Sequence, residues 1–347
     1  MSTFTMKQRK GVTASGWSGT VDDYAIAGAW TSNGGVLVVA DVAGGVFGFE
    51  GKSGKIRWAH RGAHGGGALS MAINPITDQV STGGQDGRIL TWNPETGALS
   101  QTIDLGKGWV ENLTWSADGK CLAASNSRRV HVYDVEGKEV WCSDDHPSTV
   151  SALAWSQSQE LATACYGQVA FFDVFSGDVT QKLEWKGSLV SMVLSYDGDI
   201  VACGSQDNTV HFWRRSTGDD SMMAGYPSKP SYLAFDAKGS LLATGGGQAI
   251  TVWSFQGDGP EGTRPGVLEA HLEPVTSLVF APKGRILASG ARDGSVAIWE
   301  LDNAGNGGLI GASQLDDLVA GISWRPDGRG LAAFDARGGV TTWRVRS

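Results

Sequence analysis

Apolar positions along this chain come in short runs of strand length, separated by polar turns rich in glycine. The stretch from His271 to Glu300, HLEPVTSLVFAPKGRILASGARDGSVAIWE, shows the pattern most plainly. Three apolar runs, VTSLVF, RILASG and SVAIW, flank a Pro-Lys-Gly turn and an Arg-Asp-Gly turn. The runs are rich in β-branched residues, and the glycines supply the positive φ that tight hairpins require. The stretch predicts three antiparallel strands in a meander. A lone meander cannot bury both of its faces, so further copies are expected.

The copies are present. The aromatic that closes the third run, Trp299, has counterparts at Phe49, Trp92, Tyr133, Phe172, Trp213, Trp253 and Trp343, spaced 39 to 46 residues apart. First runs recur as AIAGAW, ALSMAI, VENLTW, VSALAW, LVSMVL, PSYLAF, VTSLVF and VAGISW, and small-residue second runs such as CLAAS, LATAC, IVACG and LLATG follow them. A fourth run follows most units, for example KIRWAH, KEVWCS and LIGASQ. A period of roughly 40–45 residues with about four strands per unit marks a β-propeller blade. The reading is an all-β, eight-bladed propeller of four-stranded antiparallel blades in a single domain, 1–347. A seven-bladed ring with one divergent extra unit is the alternative. The eighth unit ends at Ser347 without room for a fourth strand, and the segment of about 10–19 has no unit of its own. It is expected to pair with the last blade and close the ring, removing an open edge. The glycine-rich stretches 257–266 and 303–308 are read as long inter-strand loops.

Composition narrows the class. Apolar residues make up 41% of the chain, enough for a large core, and the 50 glycines suit many tight turns. With 28 basic against 36 acidic residues the net charge is −8, which argues against nucleic-acid or anionic-membrane binding. The basic cluster Lys7, Arg9 and Lys10 is read as a solvated terminus. No apolar run reaches membrane-spanning length, and no signal peptide is expected. The four cysteines, Cys121, Cys142, Cys165 and Cys203, lack metal-ligand spacing and are read as free thiols, which fits a cytoplasmic protein.

The set His271, Ser289, Asp293 and Trp299 resembles the hydrogen-bonded tetrad of the WD-repeat (WD40) family. His64, Thr82, Asp86 and Trp92 repeat its offsets of 18, 22 and 28 residues. The resemblance implies structural roles for these eight residues: a His before the first strand, a hydroxyl in the second, an Asp in the second hairpin and a Trp in the third. Other units depart from it. His146 and Thr163 keep only the first half, Trp185 stands at a His position, and units one, three, six and eight lack the Asp at that offset. FEGKSGKIRW (49–58) and YDVEGKEVW (133–141) are similar to the docking motifs of eight-bladed quinoprotein propellers, whose Trp packs across neighbouring blades.

Catalytic motifs are absent: there is no nucleophile elbow, Walker loop, H-E-x-x-H or C-x-x-C. The run HGGGA (64–68) reads as a flexible loop, and the Asn112-Leu113-Thr114 sequon lies within a first strand. No enzyme activity, cofactor or metal is expected. A ring would place the loops before first strands and the hairpins between second and third strands on one rim, where binding residues concentrate. That rim would carry Tyr24, Trp109, Arg128, Tyr166, Gln206, Lys229 and Arg292, and Tyr, Trp and Arg are the residue types of interface hot spots. The expected function is a scaffold that binds a protein or peptide there, an acidic or phosphorylated segment among the candidates. A quinone-dependent or metal-dependent enzyme and a purely architectural subunit are the competing readings.

Overall fold

The computed structural model describes residues 13–257 and 259–346. Lys7, Arg9, Lys10, the start of the expected closing strand and one residue of the 257–266 loop fall outside them. Among the described residues all regular structure is strand, so no helix there is long and apolar enough to cross a membrane.

The reference unit folds as the apolar pattern dictates. Strands Val275–Phe280, Ile286–Ala291, Ser295–Leu301 and Gly307–Gln314 pair in sequence order, all antiparallel. Their registers include Leu278 opposite Ser289 and Leu287 opposite Trp299. The second strand is buried nearly throughout because both of its faces meet another blade. Small residues make this possible. A Cβ on Gly290 would come within 2.4 Å of Val319 in the next unit, and one on Gly204 within 1.8 Å of the Pro230 carbonyl. The core is therefore a series of layers between units. One layer joins Leu241, Val252 and Leu268 to Leu287 and Trp299 of the following unit.

The eight units are carried on seven separate sheets, the number that the alternative gave, six of them four-stranded and one six-stranded. The expectation of eight separate four-stranded blades is corrected at units four and five. Strand Val179–Leu194 runs through both. Its first half pairs with the end of Leu161–Phe172, at Val169 opposite Leu183, and its second half with Ile200–Ser205, at Met192 opposite Cys203. The cause is local. No loop interrupts the chain between Trp185 and Ser188, and Tyr166 pairs with Ser188 across the junction. Arg215 adds a bond to Glu160 at 3.0 Å and lies 3.6 Å from the Phe171 ring centre, tying the two units together.

The inner segments touch one another in order, and Val319–Trp324 returns to Ala25–Trp30. Strand Thr13–Thr20 pairs antiparallel with Gly339–Val345 as the outermost strand of the last sheet. Two further devices hold adjacent units. Near the channel, Ser70 Oγ donates to the Val110 carbonyl, Asn112 Nδ2 to that of Val150, and Ser191 Oγ to that of Pro230, at 2.8–3.2 Å. Asn112 is thus one of a series of inter-unit latches.

At the outer edge, Trp58 Nε1 donates to the Pro94 carbonyl, and Gly97 leaves room for its ring: a Cβ there would lie 2.6 Å away. Trp17 repeats this on the Gly51 carbonyl and Gly54, and Trp141 lies 3.6 Å from where a Cβ of Gly177 would be. The Trp of the 49–58 and 133–141 motifs therefore packs across units, and Trp17 does so at the seam.

Candidate partner-binding rim

The rim is built on the two four-residue sets. His64 Nε2 lies 2.8 Å from Thr82 Oγ1, Trp92 Nε1 donates to the same oxygen at 3.0 Å, and Asp86 Oδ1 lies 3.1 Å from His64 Nδ1. Thr82 donating to Nε2 leaves the proton on Nδ1, facing Asp86. Burial disfavours the charge on both partners. It holds the His64 pKa below its ordinary value despite Asp86, while bonds from His64, Arg88 and the Gly65 and Arg88 amides bring the Asp86 carboxyl to about 2.

The second set differs in one link. His271 Nε2 meets Ser289 Oγ at 2.7 Å, and Trp299 Nε1 donates to that oxygen at 2.8 Å. His271 Nδ1, however, meets Ser295 Oγ at 2.6 Å, and Ser295 in turn bonds Asp293. Asp293 also accepts from the Leu272 amide at 2.7 Å, which fixes the loop before the first strand.

Units that depart from the pattern fill the same space by other means. His146 keeps Thr163 at 2.9 Å but gives its Nδ1 to the Arg128 carbonyl at 3.0 Å. Tyr226, which the motif reading passed over, stands 18 residues before Thr244, at the His offset. Its hydroxyl lies 2.8 Å from Thr244 Oγ1 and accepts from Trp253 Nε1 at 3.2 Å. In unit five Trp185 stacks on His211 with ring centres 3.8 Å apart, and Trp213 meets the same ring edge-on at 4.3 Å. His211 Nε2 is 3.1 Å from Asp220 Oδ2, which favours the charged ring, but burial outweighs it and holds the His211 pKa below its ordinary value.

Tyr24 and Arg292 are brought together across the channel mouth with Tyr232, which sequence reasoning did not single out. Burial first, then the neighbouring Tyr232, raises the Tyr24 pKa, and Arg292 opposes the rise. Tyr232 carried a signal: it is the one bulky residue at a first-strand position otherwise held by Ala27, Ser70, Asn112, Ala152, Ser191, Ser277 and Gly321.

On the other side of the mouth Tyr166 borders a cavity of about 600 Å³ lined also by Ser148, Thr149, Ser188 and Val190. Tyr166 and Trp109 are 57% and 52% exposed, so neither ring is covered by a neighbouring loop. Gln206 and Lys229 are exposed at the rim. Arg128 is not free: its Nε donates to the His146 carbonyl at 2.7 Å, which makes it a brace of the loop before unit four. Arg337 is paired with Asp317 at 3.0 Å. Among the described rim arginines Arg128 and Arg292 have no carboxylate partner, and only Arg128 is bonded to a carbonyl.

Among the described residues one group could hold a metal ion. His131, Glu139 and Cys142 offer ligand atoms within 4.8 Å of one another on two paired outer strands, away from the rim. His131 Nδ1 already bonds Glu139 at 2.7 Å, and burial together with Glu139 keeps the Cys142 thiol protonated. All four cysteines are free.

Residues 177–214 and 262–300 match the family model described as WD domain, G-beta repeat. Two relatives are similar over most of this chain. The chain is 26% identical over 288 residues to autophagy-related protein 16 of Arabidopsis thaliana, covering 81% of this chain and 56% of that one. It is 26% identical over 269 residues to WD repeat-containing protein slp1 of Schizosaccharomyces pombe, covering 74% and 54%. The chain is a WD-repeat β-propeller.

The match at 262–300 takes in the His271 set, whereas the His64 set falls in another match. Residues 14–108 match the family model described as outer membrane protein assembly factor BamB. That stretch contains Trp17 and Trp58, the residues that dock onto neighbouring turns. Solved structures agree on the fold. A chain of a mitotic checkpoint complex is similar with a TM-score of 0.68 at 21% identity, covering 80% of this chain and 87% of that one. The computationally designed Ika8 protein reaches a TM-score of 0.82 at 20% identity, covering 95% and 99%. The WD-repeat region spans about half the length of the first curated relatives that it matches.

Proposed function

We propose that this WD-repeat propeller is a non-catalytic scaffold that takes a protein or peptide segment on the rim at the channel mouth. The observation that carries the reading is the exposure of Trp109 and Tyr166 on loops held in place, the Tyr166 amide by Ser148 Oγ at 2.8 Å and the Lys107 carbonyl beside Trp109 by Asn126 Nδ2 at 3.2 Å. Exposed aromatics on fixed loops lose little entropy on binding and supply most of the energy of a typical interface. Arg292, unpaired among the described residues and facing Tyr24 and Tyr232, offers a point for a carboxylate or phosphate of the partner. A relative supports this class: cell division cycle 20.6 of Arabidopsis thaliana, 26% identical over 234 residues, is a cofactor of the APC complex.

The test is co-purification with the double variant Trp109→Ala and Arg292→Ala. Partners captured by the wild-type chain are expected to be lost while circular dichroism and the unfolding midpoint stay unchanged. Retention of the same partners by the folded variant overturns the rim as the binding surface.

A further inference from the structure

Outside the rim, the seam of the ring holds a concave site of a different character. The closing strand, the turn after Val46–Glu50 and the outer part of unit eight enclose a cavity of about 570 Å³. Five cations line it, Lys52, Arg325, Arg329, Arg344 and Arg346, and among the described residues no carboxylate does. In a chain of net charge −8 this is a local reversal of sign. Among the described residues one of the five is ion-paired, Arg325 with Asp327. That guanidinium is also held in place: a Cβ on Gly34 of unit one would lie 2.6 Å from Arg325 Cδ, so glycine there makes room for the arginine stem. The other four have no acidic partner among the described residues, and like charges gathered at one cavity repel until an anion enters.

Trp30 is 6% exposed and forms part of the wall, and its indole N–H has no hydrogen-bond partner among the described residues. The equivalent Trp155 and Trp324 donate to the Thr114 and Val279 carbonyls of the preceding units at 3.1 Å. Trp115, at the same position but not in this cavity, also has no partner for its indole N–H among the described residues, so the orphan donor belongs to this tryptophan position and Trp30 serves the cavity as apolar wall.

The geometry points to an anion-binding site at the ring seam that takes a small organic phosphate. A phosphate suits it better than a carboxylate: guanidinium forks match its oxygens, and its double charge answers several cations at once. A small molecule suits it better than a protein surface because the site is concave and its volume lies in the range of roughly 300–1,000 Å³ typical of ligand pockets. The Trp17 and Trp343 rings in the wall offer apolar surface for the organic part.

Calorimetry and tryptophan fluorescence with inorganic phosphate and with phenyl phosphate, at constant ionic strength, test it. One-to-one binding is expected, tighter for phenyl phosphate. Arg329→Ser with Arg344→Ser is expected to weaken both by about tenfold or more, since each charge-assisted bond contributes roughly 1.5–3 kcal/mol. Arg329→Lys with Arg344→Lys should restore part of the loss, which separates charge from misfolding. Trp109→Ala should leave phosphate affinity unchanged, so the outcome is independent of the rim. Absence of binding at millimolar phosphate, equal affinity in the serine variant, or an equal response to chloride overturns the assignment. So does a phosphoserine peptide that binds far more tightly than phenyl phosphate and is lost in the same variant.

Discussion

At the scale of single residues, His271 turns on a hydroxyl. Its Nδ1 meets Ser295, and Asp293 is reached only through that side chain. Ser295→Ala should therefore destabilise the fold about as much as Asp293→Ala, roughly 1–3 kcal/mol each, because either change leaves a buried group unpaired. The double variant should cost less than the sum, and urea unfolding of the four proteins checks this. Strictly additive effects would mean that the two side chains act separately.

The histidines also give the fold a pH dependence. Burial lowers the pKa of His64, His146, His211 and His271. Below about 6.5, the unfolded value, the unfolded chain then binds protons that the folded chain refuses, so stability falls with pH. Asp86 acts later in an acid titration: its contribution is present above about 4 and is lost as pH falls towards 2. The unfolding midpoint should be level above pH 7 and drop between about 6.5 and 5; a level midpoint throughout would contradict neutral buried histidines.

What could be read at this scale followed spacing. The two complete sets stood out because their offsets are equal. Ser295 did not, because a hydroxyl two residues after the Asp looks like any turn residue. Arg128 could not be told from Arg292 by position alone, since its bond to the His146 carbonyl depends on how the next loop lies.

At the scale of elements, the outer tryptophans matter most. Trp58 bonds the Pro94 carbonyl and occupies the space above Gly97, whose φ is +72°. Trp58→Ala should cost about 1–3 kcal/mol from lost burial and the lost bond. Gly97→Ala should also destabilise, through its positive φ and the clash with the indole. In a Trp58→Ala background the clash disappears and only the backbone penalty of about 1–2 kcal/mol remains. Thermal unfolding of the four combinations measures the difference, and an unchanged Gly97→Ala penalty would show that the ring does not press on that turn.

The period made nearly every strand legible, because each unit repeats its apolar runs and turns. The fusion of units four and five was not legible. Nothing in EWKGSL (184–189) marks an extended segment as opposed to a loop; only the pairing of Tyr166 with Ser188 decides it.

At the scale of the whole molecule, one strand completes the last sheet. Removing residues 1–20 should expose Gly339–Val345 as an open edge and strip Trp17 from its seat on Gly51. Exposed edges pair with other chains, so size-exclusion chromatography should show larger species or aggregation. A monomer of unchanged stability would mean that the ring closes without this strand. The binding surfaces lie further from what sequence can show. Tyr24, Tyr232 and Arg292 belong to three different units and meet only because the ring is closed. The seam cavity likewise draws Trp30, Lys52 and Arg344 from distant parts of the chain.

The closing pair has a mechanical side. Thr13 lies opposite Val345, so the first described residue of one strand and the end of its partner sit together at the same end of the ladder. A force that draws these two residues apart loads the hydrogen bonds one after another, as a zipper, and not all at once in shear. The ring is thus weakest to tension at the junction that closes it, although the rest of the circle would resist the same pull.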